Sequence, residues 1–210
     1  MDEGFKFAVL ASGAGTNLQV LIDRVHGRER IELVAVASDQ PGAPALERAQ
    51  RAGVPARVFE QREFGGRAER DRAMADWLRG VGVQLVVMAG YMRLLSPAFL
   101  ELFPGAVINV HPALLPAFPG LDAVGQALAY GVKVFGVTVH FVDEGVDSGP
   151  VILQRAIELP DARCAAEVLP RLHELEHELL PAAVRLFARG AVRIDPEGGR
   201  RVIVEHAAAG

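Results

Sequence analysis

The chain has 210 residues, half of them hydrophobic and 23% charged, a globular rather than a disordered composition. Lys and Arg number 22 against 26 Asp and Glu, and the net charge of -4 is a poor balance for a nucleic-acid binder. No apolar run approaches the roughly 18 residues of a membrane helix, and the lone Cys164 excludes a disulfide framework and a cysteine-based zinc site.

The elements follow in chain order. Phe5 to Leu10 is a short apolar strand that runs into the turn Ala11-Ser-Gly-Ala-Gly-Thr-Asn17. Leu18 to Val25 reads as a helix, Ile31 to Ala37 as a second strand, and Ala45 to Ala52 as a helix stopped by Gly53. A weak strand covers Ala56 to Phe59, and Arg67 to Arg79 is an amphipathic helix. Val83 to Ala89 and Ala106 to Val110 are continuous apolar runs of the kind buried on both faces. Strands alternating with helices at this spacing predict a parallel sheet with right-handed crossovers.

The second half has another rhythm. A short helix ends at Gln126 to Tyr130. Val132 to Val142 and Pro150 to Leu159 read as strands, antiparallel because only a short loop joins them. Ala162 to Arg189 is helical, with Pro170 and Pro181 as bends or boundaries. Ala191 to Val204 predicts a hairpin turning at Glu197-Gly198-Gly199. No repeat or linker interrupts the chain, so a single domain over residues 1–210 is expected, with halves 1–110 and 111–210.

Four motifs carry candidate chemistry. Ser12-Gly13-Ala14-Gly15-Thr16-Asn17 joins a strand to a helix, where exposed N–H groups and the helix dipole suit a phosphate. It is neither the P-loop nor the full dinucleotide fingerprint, since Leu18 stands where the third glycine belongs. A tight turn without ligand is the alternative. Asn109-Val110-His111-Pro112 ends an apolar strand, and two residues apart on an extended chain put the amide and imidazole on one face. There the amide can donate to an oxyanion and the imidazole can donate or move a proton; a histidine that only caps backbone is the alternative.

The loop Asp143-Glu144-Gly145-Val146-Asp147-Ser148-Gly149 holds three carboxylates. Asp143 and Glu144 read as solvated, whereas Asp147, beside Ser-Gly-Pro, can be held against a histidine and raise its pKa. His173-Glu174-Leu175-Glu176-His177 matches the zinc-protease helix pattern but lacks its extended form with a further His, so no metal is expected. No serine stands as a hydrolase nucleophile, and Cys164 is read as a packed, inert thiol on a helix.

In this order the pieces resemble the phosphoribosylglycinamide formyltransferase family, folate-dependent enzymes of purine biosynthesis. The resemblance rests on Leu10 to Gln19, Met88-Ala-Gly-Tyr-Met-Arg-Leu-Leu-Ser-Pro97 and Ile108-Asn-Val-His-Pro-Ala-Leu-Leu-Pro116. It continues through Phe118 to Leu121, Gly136 to Asp143, Asp147-Ser-Gly-Pro-Val-Ile152 and Glu176-His177. It implies a Rossmann-like formyltransferase fold: α/β, a mostly parallel central sheet flanked by helices, antiparallel in its C-terminal half. The first half would then carry the phosphate and the second the folate.

The resemblance also implies roles. Asn109, His111 and Asp147 fall on the catalytic positions. Gly15, Thr16, Asn17 and Glu176 fall on ribonucleotide contacts, and the H-E-x-x-H match dissolves into the last of these. Arg67, Met92, Arg93, Leu94, Leu95, Asn109, His140 and Asp143 fall on folate-side positions. The co-substrate would be 10-formyltetrahydrofolate, with no metal. The partners would be small molecules, with neither nucleic acid nor membrane, in a monomer or homodimer. The N-terminus also lacks signal-peptide features, so a cytoplasmic location is expected. Ala113, Ala117 and Asp122 depart from residues common in the family, so no hydroxyl contact from 113 and no basic contact from 117 or 122 is expected.

Three other readings compete. A hydrolase of the same folate would usually carry a regulatory domain before the first strand, which here begins near Phe5. A methionyl-tRNA formyltransferase would need a basic C-terminal domain. A folate- or phosphate-binding module without catalysis would have no need of the trio Asn109, His111 and Asp147.

Overall fold

The computed structural model describes residues 4–197 and 199–205. The chain divides into two compact units, Met1–Asn109 and Val110–Gly210.

The first unit is a parallel sheet with helical crossovers. Its strands are β1 (Phe5–Leu10), β2 (Ile31–Ser38), β3 (Ala56–Val58), β4 (Leu85–Met88) and β5 (Val107–His111), in the spatial order β3-β2-β1-β4-β5. All their pairings are parallel. Helices α1 (Thr16–Arg24), α2 (Pro44–Arg51), α3 (Arg67–Gly80) and the short α4 (Pro97–Leu100) make the connections. Phe7 to Leu10 and Leu85 to Val87 are fully buried, so both faces of the central strands are covered. A 3-10 turn at Gln61–Glu63 and α4 were not expected; α4 is one turn long, with Ser96 and Pro97 at its start.

β5 carries the chain from the first unit into the second. There, α5 (Ala123–Tyr130) precedes β6 (Val134–Phe141) and β7 (Val151–Glu158), which pair antiparallel as expected. Asp122 caps α5 by accepting from Gly125 N at 3.2 Å, which gives this departing residue a local purpose. β8 (Val192–Ile194) and β9 (Val202–Val204) form the terminal hairpin, whose expected turn residue Gly198 lies outside the described residues.

The long α6 (Ala165–Ala188) runs through Pro170 and Pro181 as one helix, so neither proline is a boundary. A proline within a helix costs about 3 kcal/mol. Val168, Leu172, Leu179, Leu180, Ala183, Val184 and Leu186 bury one continuous face, and each of its valines and leucines returns about 1.5–3 kcal/mol. The reading of Cys164 is corrected. It precedes the helix and is exposed rather than packed.

Candidate functional site

The chemistry collects at the C-terminal ends of the strands, where parallel sheets leave their loops. In the first unit, β1 ends in the glycine-rich turn. Gly15 caps α1 with φ 69°, and a Cβ there would stand 2.8 Å from that of Ala45, so only glycine fits. The first turn of α1 carries no acidic side chain, which leaves the positive end of its dipole uncompensated. Thr16 is exposed and Asn17 buried. Arg48 of α2 steadies the turn through Nε to the Ala14 carbonyl at 2.8 Å and Nη1 to Gln19 at 3.0 Å.

β4 ends beside this turn. Met92, Arg93 and Leu94 are exposed, while Leu95 is buried. The Met92 N–H donates to Ser12 Oγ at 2.9 Å, and Ser12 donates in turn to Asp39 Oδ1 at 2.5 Å. Arg93 Nε donates to Asp39 Oδ2 at 2.9 Å. Burial alone would raise the Asp39 pKa; the hydrogen bonds from Ser12, Arg93 and Gln40 outweigh it and hold the carboxyl below its ordinary value. Behind the segment, buried Arg70 pairs with buried Asp71, whose other oxygen accepts the Ser96 N–H at 2.7 Å. Burial raises the Tyr91 hydroxyl pKa. Arg67 opens α3 and is exposed.

In the second unit, one carboxylate faces two histidines. His111, at the end of β5, is buried. Its Nδ1 lies 3.3 Å from Asp147 Oδ2 and its Nε2 lies 2.9 Å from the Phe118 carbonyl. His140 of β6 is buried with Nδ1 2.7 Å from the Phe141 carbonyl and Nε2 3.6 Å from Asp147 Oδ1. Gly120 N–H donates to Asp147 Oδ2 at 2.8 Å. Burial raises the Asp147 pKa. The nearby His140 ring, the Gly120 N–H and electrostatic attraction toward His111 outweigh it and leave a net lowering.

Backbone geometry sets this cluster. Asp147 is a non-glycine residue at φ 48°, and a Cβ on Gly149 would run into the Phe141 carbonyl oxygen. Asp143 is half-buried rather than simply solvated. It accepts Ser148 Oγ at 2.5 Å and Gly145 N at 3.1 Å, closing the loop on itself. Glu144 is exposed, as read.

Residues 5–184 match the formyl transferase family. The chain belongs to that family. It is 42% identical over 181 residues to the phosphoribosylglycinamide formyltransferase of Bacillus subtilis, covering 86% of this chain and 93% of the relative. It is 41% identical over 194 residues to the trifunctional purine biosynthetic protein adenosine-3 of Gallus gallus, covering 92% of this chain and 19% of that longer protein. Glycinamide ribonucleotide transformylase 1 of Symbiobacterium toebii has the same fold, with a TM-score of 0.92, 44% identity and coverage of 98% and 96% of the two chains.

The remaining candidates of this formyl transferase fall as follows. Asn109 is half-buried on β5, two residues before His111 and hence on the same side of the strand. Glu176 is buried on α6. His173 and His177 stack on that helix with ring centroids 6.3 Å apart. Among the described residues no group of three or more His, Cys, Asp or Glu could hold a metal ion, and no helix is long and apolar enough to cross a membrane.

The motifs did not single out Asp39, the ion pair Arg70–Asp71, or the backbone groups of Phe118 and Gly120. Only Asp39 carried a sequence signal, its place just beyond the second strand.

Proposed function

We propose that the protein transfers the formyl group of 10-formyltetrahydrofolate to the amine of glycinamide ribonucleotide, giving formylglycinamide ribonucleotide and tetrahydrofolate. The observation that carries this reading is the His111–Asp147 pair at 3.3 Å in a chain of this family.

Gly15, Thr16 and Asn17 hold the ribonucleotide phosphate through backbone N–H groups and the helix dipole, and Glu176 contacts the ribonucleotide. Arg67, the segment Met92–Leu95, Asn109, His140 and Asp143 serve the folate. The exposed Met92 and Leu94 side chains suit a flat aromatic ring.

The neutral amine attacks the formyl carbon, and negative charge develops on the formyl oxygen. Asn109 and protonated His111 donate to that oxygen, His111 by turning its Nε2–H from the Phe118 carbonyl to the formyl oxygen, a term worth about 3–4 kcal/mol for a well-placed donor. The Asp147 carboxylate, 3.3 Å from Nδ1, holds the ring in place while Nε2 makes that exchange. The attacking nitrogen loses a proton, the bond from the formyl carbon to folate breaks, and the folate nitrogen gains a proton. Asp147 and His111 assist that transfer through water. Holding both substrates together supplies much of the acceleration. The enzyme acts on small molecules in the cytoplasm as a monomer or homodimer.

An absorbance assay of folate product, with and without glycinamide ribonucleotide, tests the reading. Product only with the ribonucleotide supports direct transfer. Equal product without it means water is the acceptor and overturns the proposal.

A further inference from the structure

Three segments leave the sheet side by side in the first unit: Ala11-Ser12 from β1, Asp39 from β2, and Ala89 to Arg93 from β4. Their backbones are tied where they leave the sheet, by Ala11 N to Ala37 O, Ala89 N to Leu10 O and Ser12 N to Gly90 O, all at 3.0 Å. Beyond those ties they are joined through the side chains of Asp39 and Ser12. Asp39 takes the Ser12 hydroxyl on Oδ1 and both Arg93 Nε and Gln40 Nε2 on Oδ2, the last at 3.0 Å. Ser12 Oγ simultaneously accepts the Met92 N–H.

The Asp39 side chain is 2% exposed against 51% for Arg93, so the carboxylate is the inner anchor and the guanidinium the outer arm. Apart from neighbouring Gln40, its side-chain partners begin the phosphate turn or sit in the folate-side segment.

We propose that Asp39 is a positioning residue whose carboxylate sets the phosphate turn and the Met92–Leu95 segment in one mutual geometry. Neither segment can then shift without breaking a charge-assisted hydrogen bond in a water-poor setting. The inference rests on the formyl-transfer reading, because it takes those two segments as the places of the two substrates. It assigns Asp39 no contact with either.

The test is steady-state kinetics on Asp39→Ala, Asp39→Asn and Ser12→Ala, each checked for folding by circular dichroism. Asp39→Ala is expected to raise KM for both substrates at least about fivefold while kcat falls less. Asp39→Asn keeps the shape: the amide oxygen can accept from Arg93, and the Ser12 hydroxyl can turn to accept from the amide. It is expected to bring both KM values back to within about twofold of the parent. A purely structural anchor would lower the melting temperature and leave that paired KM response absent.

A folded Asp39→Ala that moves one KM alone, or neither, overturns the proposal. If Asp39→Ala does not fold, Ser12→Ala carries the same criteria, because it removes the hydroxyl that links Asp39 to Met92. A parent enzyme without ribonucleotide-dependent product would instead defeat the formyl-transfer reading, so the two failures are distinct.

Discussion

Asp147 Oδ2 lies 3.3 Å from His111 Nδ1 and 2.8 Å from the Gly120 N–H, so the carboxylate is gripped from a side chain and from backbone at once. Its other oxygen faces His140 at 3.6 Å. Asp147→Asn keeps the size and removes the charge opposite the imidazole. It should lower kcat by about a hundredfold, in the range of assisted proton transfer, with a smaller change in both KM values. Steady-state rates with each substrate varied in turn decide this, and an unchanged kcat would defeat the role.

In the proposed mechanism Asn109→Ala and His111→Ala each remove a donor to the developing oxyanion. Each is expected to cut kcat by at least about a hundredfold while far-ultraviolet circular dichroism stays that of the parent. Near-normal turnover in either variant sinks the assignment for that residue.

Asn17 lies at the start of α1, in the turn proposed to hold the phosphate. Asn17→Ala should raise KM for the ribonucleotide severalfold and leave KM for the folate within about twofold. Equal effects on both substrates would show that the turn does not serve the phosphate alone.

The Arg70–Asp71 pair predicts a stability effect rather than a kinetic one. Both side chains are almost fully buried, and Asp71 also holds the Ser96 N–H. Asp71→Ala strands a buried guanidinium and should cost about 3–5 kcal/mol, read from urea unfolding. A loss below about 1 kcal/mol, no more than a surface ion pair is worth, would contradict the burial.

Acid should weaken the fold through Asp39 and Asp147. Both carboxyls titrate below their ordinary value of 3.8 in the folded chain. The folded state therefore binds fewer protons than the unfolded one in that range. The stability they contribute is fully present above 3.8 and is lost as the pH falls through it toward the folded values. Urea unfolding at about pH 5 and about pH 3 should show a drop that is smaller in Asp147→Asn. An equal drop in that variant would remove Asp147 from the account.

Local patterning made much of this molecule legible. The apolar run Phe5–Leu10 and the glycines behind it give β1 and its turn directly, because strand burial and left-handed backbone are both written in neighbouring residues. Asn109 and His111 are legible as a pair because two residues of extended chain put them on one side. What stayed hidden depends on partners far along the chain. Arg70 and Asp71 read as surface charges on a helix, and nothing near them announces that Ser96 will need a buried acceptor. Local propensity marks the prolines of α6 as possible ends, whereas the long buried face carries the helix through both. Asp143 looked solvated because its partner Ser148 lies across the loop.

The register of β5 against β4 has a reach beyond pairing. Val107, Ile108 and Asn109 lie opposite Val86, Val87 and Met88. A slip of a single residue would turn the strand over, carrying Asn109 and His111 together to the opposite surface and Ile108 and Val110 into their places. A deletion in the connection between α4 and β5 that produced such a slip would take both side chains out of the proposed site as surely as replacing them. The unequal company on the two sides of the strand, an amide and an imidazole against isoleucine and valine, keeps the wrong alignment costly.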